Sequence, residues 1–267
     1  MNKLVVVGTV AFDKIETPFG KTDKIIGGSA TYVGYSATKL GVNPKLVAVV
    51  GDDFPDETLT DFKKSGFDLE GLQVKEGEKT FFWSGRYHND MNSRDTLATE
   101  LNVLETFNPV IPESYQDCSY LMLGNLAPAI QAQVINGMKD RPKLIAMDTM
   151  NFWMDIAMDD LKKTISMVDL LTINDEEARQ LSGEYSLLTA AQKIQEMGPK
   201  YLIIKKGEHG ALLFHGKDMF YAPALLLPTV MDPTGAGDTF AGGFMGYLAS
   251  TDDISFENMK RALVYGS

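Results

Sequence analysis

One cysteine, Cys118, is all that the 267 residues hold. No disulfide can close within the chain and no multi-cysteine zinc site can form; Cys118 is expected in or near the core, without chemistry of its own. The histidines are also few, His88, His209 and His215. Their spacing offers neither a metal-binding pair nor a partner for a nucleophile, which argues against zinc chemistry and hydrolytic triads. Positive charge is short as well: 25 Lys and Arg stand against 36 Asp and Glu, a formal net charge of −11. Nucleic acid is held through clustered Lys and Arg, so no nucleic-acid partner is expected, and an anionic small substrate would have to be met by local groups and a metal ion. No apolar run is long enough to span a bilayer, and Leu4-Val5-Val6-Val7-Gly8 follows the start too closely for a signal peptide. A cytoplasmic, reducing setting with no membrane partner is expected. Repeats, low-complexity tracts and domain-scale linkers are missing too, and 44% hydrophobic with 23% charged residues suits one globular α/β domain with a small appendage.

The stretch around which the rest is organised is Asp232-Pro233-Thr234-Gly235-Ala236-Gly237-Asp238-Thr239-Phe240, running without a break into Ala241-Gly242-Gly243-Phe244-Met245. A glycine-rich loop feeding an apolar helix leaves the first backbone N–H groups without internal partners, and their partial positive charge suits phosphate oxygens. Gly235, Ala236 and Gly237 have little or no side chain, so a polyphosphate can approach the backbone. Asp238 puts a carboxylate at the same spot, which is electrostatically odd unless it handles a proton. Asp238 is therefore the candidate general base, activating a hydroxyl for attack on a terminal phosphate. Such loops also serve as plain helix caps, and the wider chain decides between the two.

This string resembles the signature of the ribokinase-like carbohydrate kinases, the phosphofructokinase B type family that includes ribokinase and adenosine kinase. The resemblance implies a three-layer α/β sandwich, with a central mostly parallel sheet covered by helices. A small β lid would be formed by about residues 12–26 and 78–101. It also implies ATP and Mg2+ as cofactors and phosphotransfer to a hydroxymethyl group of a sugar. A nucleoside acceptor is the alternative, and a non-catalytic sugar or nucleoside sensor is a second one from another class. A homodimer through the lid would suit the aromatics of residues 81–87, read as exposed.

The remaining motifs are weighed beside that resemblance. Leu4–Val7 reads as a strand buried on both faces, with Asp13 just beyond it, and the matching family Asp holds substrate hydroxyls. Gly27-Gly28 matches the family's substrate-side pair and opens a helix capped by Ser29. Tyr32 stands where many members have Asn, and Gly124-Asn125 where ribokinase-type members often supply Glu, so the acceptor contacts differ from those for plain ribose. Strands at 46–50, 120–123, 144–148, 170–173, 201–205 and 212–215 alternate with helices at 55–64, 128–138, 159–167 and 174–183, the pattern of a parallel sheet with helical crossovers. Asn174 and Glu177 at a helix start match the family's Asn-x-x-Glu motif for magnesium, with contact through water. Acids there also complement the helix dipole. Lys205, Gly207 and Gly210 resemble the nucleotide-side loop, and with Thr234 are the expected ATP contacts. The same lysine at a strand end could simply be solvated. A last helix is read over 256–265; relative to the family the ending at Ser267 reads as truncated.

Overall fold

The computed structural model describes residues 4–267. Short apolar runs between polar turns become its strands, and amphipathic stretches its helices. In chain order they are β1 (Leu4–Val7), β2 (Ala11–Thr17), β3 (Gly20–Lys21), β4 (Ile25–Gly27), α1 (Ser29–Thr38), β5 (Lys45–Gly51), α2 (Asp56–Lys64), β6 (Asp68–Lys75), β7 (Phe82–Tyr87) and β8 (Arg94–Glu100). Then come β9 (Tyr120–Leu123), α3 (Pro128–Gly137), β10 (Leu144–Asp148), α4 (Asn151–Ile156), α5 (Met158–Ile165), β11 (Leu170–Asn174), α6 (Asp175–Ser182) and α7 (Leu187–Gln195). The chain continues through β12 (Tyr201–Lys205), β13 (Ala211–His215), β14 (Asp218–Ala222), α8 (Ala236–Thr251) and α9 (Phe256–Gly266).

The larger sheet runs in the order β14-β13-β12-β11-β10-β9-β1-β5-β6. From β12 to β6 every pairing is parallel, and only β13 and β14 are antiparallel. Alternate residues of each inner strand enter opposite cores, which is why these strands read as unbroken apolar runs. Leu4, Val6, Met122 and Ile203 pack with Val33 of α1, Phe244 and Leu248 of α8 and Leu263 of α9. Val5, Leu121, Ile145 and Leu202 pack on the other face with Val134, Leu161, Leu181 and Ile194. The result is the expected three-layer α/β sandwich. Because the inner strands are parallel, Val7, Leu123, Asp148, Asn174 and Lys205 end at one edge of the sheet, the edge where open α/β folds bind ligands.

A smaller sheet, in the order β3-β2-β7-β8 with β4 paired to β2, forms from the segments expected to make a lid. Its register sets Asp13 beside Trp83 and Ile15 beside Gly85, and Gly85 and Tyr87 opposite Thr96 and Arg94. Side chains alternate across a strand, so these residues share one face.

Three local expectations change. Gly28, not Ser29, caps α1. Ser29 Oγ instead accepts from the Thr9 N–H at 3.1 Å and pairs with Thr9 Oγ1 at 3.2 Å, tying the loop after β1 to the helix. The helix expected at 159–167 is preceded by a separate turn of helix, α4, because Ala157 leaves helical geometry at φ −142° and ψ 36°. The aromatics of 81–87 are half-buried or buried rather than exposed.

Candidate active site

The glycine-rich loop folds into an open helix start. Gly235 is the N-cap of α8 in the left-handed region, φ 72°, a conformation that glycine reaches at least cost. A Cβ there would lie 2.4 Å from Cδ2 of Tyr32, so the tyrosine ring of α1 rests directly on the loop. Asp232 accepts from the Thr234 N–H at 2.8 Å, and the Ala236 N–H closes a turn onto the Pro233 carbonyl at 3.1 Å. The N–H groups of Gly237 and Asp238 follow at the start of α8, where the helix supplies no acceptor and its dipole favours negative charge.

Around this loop the structure gathers residues from distant parts of the chain. Asp238 lies largely buried in the first turn of α8. Burial and then the Asp148 carboxylate push its pKa up to about 7, against the opposing pull of Lys205. Lys205 is not a solvated strand-end lysine. Its Nζ lies 3.2 Å from Asp148 Oδ2, and a Cβ added to Gly237 would meet it at 3.1 Å. Burial alone would lower this ammonium's pKa, but the carboxylates of Asp148, Glu177 and Asp238 outweigh it and hold it above the ordinary lysine range.

Asn174 and Glu177 close a reciprocal cap at the start of α6. Asn174 Oδ1 accepts from the Glu177 N–H at 2.8 Å, and Glu177 Oε2 accepts from the Asn174 N–H at 2.7 Å. The cap spends one oxygen of each side chain. Glu177 is nonetheless buried near Lys205, and burial pushes its carboxyl up to about 7. Among the described residues no cluster of three or more acids, histidines or cysteines forms a ready-made metal cage.

On the other side of the loop, Asp13 of β2 is 5% exposed. Burial first, and then the nearby Asp232, raise its pKa to about 7, while the Gly28 N–H opposes the rise. A Cβ on Gly27 would lie 1.9 Å from Asp13 Oδ2, so the glycine that ends β4 makes the space this carboxylate occupies. Burial and the surrounding acids raise the Tyr32 phenol far above its usual range, keeping it neutral.

The smaller sheet reaches across both ends of this cleft. Thr234 Oγ1 donates to Tyr87 Oη at 3.3 Å, and a Cβ on Gly207 would meet Asn92 Oδ1 of the β7–β8 turn at 3.3 Å. Gly207 begins a single 3-10 turn, Gly207–His209, at the end of β12. Gly210 packs against the Ala222 carbonyl at the end of β14, which gives it a packing reason to be glycine. Trp83 lies half-buried on the same face as Asp13, its ring over Gly85 and its Nε1–H donating to Thr96 Oγ1 at 3.4 Å. Arg94 completes the ring of charge: it lies close enough to lower the proton affinity of both Asp238 and Glu177.

These contacts link Asp13, Gly27, Gly28, Tyr32, the loop 234–238, Lys205, Asn174 and Glu177 into one neighbourhood, with Gly207 and Gly210 at its margin. Asp148, Tyr87 and Arg94 join it without having been singled out as site residues. An Asp ending a buried strand of a parallel sheet was the one available signal for Asp148. Tyr87 and the exposed Arg94 carry no signal of their own, because only the pairing of β7 with β8 brings them near the loop.

Residues 1–266 match the model of the pfkB family carbohydrate kinases. A cytidine kinase of Thermococcus kodakarensis is 32% identical over 253 residues, covering 92% of this chain and 89% of that protein. Among solved structures, a nucleoside kinase of Methanocaldococcus jannaschii superposes with a TM-score of 0.80 at 20% identity, covering 100% of this chain and 89% of the other. A nucleoside kinase of Burkholderia thailandensis in complex with inosine gives 0.79 at 20% identity, covering 98% and 89%.

Proposed function

We propose that this chain, which belongs to the pfkB family of carbohydrate kinases and is an ATP-dependent sugar or nucleoside kinase, takes a nucleoside as its acceptor. The observation that carries the choice is Trp83, set beside Asp13 on one face of the smaller sheet. A planar base has an indole to stack on while the sugar hydroxyls donate to the Asp13 carboxylate, and a stacked ring pair adds about 1 kcal/mol beyond its burial. A free pentose would leave the indole unused. The 32% identity to a cytidine kinase supports the same choice.

In this reading Asp238 takes the proton from the acceptor hydroxymethyl group, its carboxyl tuned to the range where a base is most effective near neutral pH. The N–H groups of Gly237 and Asp238, together with the Lys205 ammonium, face the oxygens of the group in transfer. Gly235 and Ala236 keep that approach clear of side chains, and Thr234, Gly207 and Gly210 border the nucleotide side. Gly27 and Gly28 hold Asp13, and Tyr32 fills the space between acceptor and loop. The site fits both expected cofactors: the cradle would be filled by a Cβ, and the buried Glu177 carboxyl, pushed up to about 7, would be held ionised by a nearby cation. When bound, ATP supplies the phosphoryl group and Mg2+ neutralises its charge, held near Asn174 and Glu177 through water. The smaller sheet acts as the lid, and its Tyr87 and Asn92 contacts exclude water from the cleft.

The test is coupled ADP release from Mg-ATP against cytidine, uridine, adenosine, inosine, ribose and fructose 6-phosphate. The highest kcat/KM is expected with a nucleoside, and Asp238→Asn is expected to lower its turnover by ~10² to 10⁴ with little change in ATP binding. A higher kcat/KM for a free sugar or sugar phosphate than for any nucleoside would overturn the acceptor choice.

A further inference from the structure

A buried ion pair at the strand tips lies against the glycine-rich loop. Asp148 ends β10 and Lys205 ends β12, with β11 between them. Asp148 registers with Thr172 on one side of β11, and Ile203, two residues before Lys205, registers with Thr172 on the other. Side chains alternate, so Asp148, Thr172 and Lys205 all point to the same face of the sheet. Leu170, Ile203 and Ala146 of that face lie in the core packed by α8, which places the pair beneath the start of that helix.

The carboxylate is held from several directions. Asp148 is 5% exposed, and its Oδ1 accepts from the following Thr149 N–H at 2.9 Å. Its carbonyl accepts from Gln131 Nε2 at 3.0 Å, and the same nitrogen donates to the Gly124 carbonyl at 2.9 Å, locking the tips of β9 and β10 together. The ammonium at the other end sits against Gly237. There it meets the positive end of α8, an unfavourable neighbour that only a fixed counter-ion offsets.

We propose that Asp148 is a positioning residue for phosphotransfer: through its ion pair it holds the Lys205 ammonium against the glycine-rich loop at the start of α8. The proposal rests on the kinase chemistry of this site but not on the identity of the acceptor. Asp238 is faced by Asp148 from β10, Lys205 from β12, Asp13 from β2, Arg94 from β8 and Tyr32 from α1, while Glu177 of α6 faces Lys205. Asp148 and Lys205 act on it with opposite sign. Neutralising Asp148 removes an anion that favours the protonated carboxyl, and neutralising Lys205 removes the cation that opposes it.

The experiment measures the Asp238 carboxyl by carbon-13 NMR titration in the ligand-free protein, and the acidic limb of the kcat/KM profile with whichever acceptor turns over. Asp148→Asn is expected to move both to lower pH by about half a unit or more, and Lys205→Met to move both to higher pH by a similar amount. Asp148→Asn should also lower kcat by roughly tenfold with acceptor KM within a fewfold, the pattern of a misplaced charge rather than of lost binding. Unchanged titrations in folded variants, or shifts in the same direction, would overturn the proposal. If Asp148→Asn does not fold, Lys205→Met alone decides it, since an unmoved Asp238 titration there is equally fatal. The NMR readout needs no acceptor, so failure of the nucleoside assignment leaves this test intact.

Discussion

Gly235 illustrates how much a single residue can be asked to do at this site. It caps α8 at φ 72° and yields its side-chain space to the ring of Tyr32, 2.4 Å from where a Cβ would stand. Two separate demands fall on one position, and alanine meets neither. Gly235→Ala is expected to cost about 1 to 2 kcal/mol of stability from the backbone alone, and to lower kcat by at least tenfold because the loop must move off Tyr32. Adding Tyr32→Ala should recover space but not backbone geometry, so the double variant regains only part of the loss. Urea melts with steady-state kinetics on the three variants check this, and a fully active Gly235→Ala would refute the loop geometry. The charged residues nearby follow the same economy. Asp13, Glu177 and Asp238 each have a pKa of about 7 because burial opposes the ionised form, and their neighbours then adjust it up or down.

Among the elements, α6 joins a structural role to the metal-holding role proposed for the same side chains. Its reciprocal cap is complete without any ligand, so Asn174 and Glu177 stabilise the helix whether or not a metal is near. Asn174→Ala is expected to cost about 1 kcal/mol in chemical denaturation. Freed from the cap, Glu177 also loses its orientation, and the Mg2+ concentration for half-maximal rate should rise severalfold. A stability loss with an unchanged Mg2+ requirement would assign the motif to the helix alone. The smaller sheet shows the converse division. β8 has mostly exposed side chains, as an edge strand with little core of its own does, yet its pairing with β7 brings Arg94 and Tyr87 to the cleft. Expectations for this segment were right about strands and wrong about where the aromatics point, because period-two alternation defines two faces without saying which one meets the larger domain.

At the scale of the whole molecule, parallel strands deliver their carboxyl ends to one edge, and acids collect there at a cost in stability. That cost has a definite pH dependence. The Asp13 carboxyl rises from 3.8 to about 7 on folding, so the native state binds a proton that the unfolded chain has released, and the stability this contributes is lost as pH rises through that window. Asp13→Asn has no proton to lose. Its melting temperature, measured relative to the unaltered chain without Mg2+, should therefore become steadily more favourable from about pH 4 to pH 7, the window that the shift defines, and level off above it. A difference that stays flat with pH would mean that Asp13 keeps ordinary access to water.

The sequence by itself determined the inner strands, the glycine-rich loop with its helix, and the acid within it, because each is written in contiguous residues: an apolar run, a string without side chains, an acid at a helix start. It also carried Asp13, Gly27, Gly28, Asn174 and Glu177 as separate short motifs. Only the tertiary structure decided that these lie along one cleft, that Lys205 turns inward to Asp148 rather than outward to water, and that Tyr87 and Arg94 close over the loop. β10 and β12 are separated by more than fifty residues, and their tips meet because β11 seats between them. An ion pair across such a distance has no local signature, since the energy that fixes it comes from burial and neighbouring charge, and both exist only once the sheet has formed.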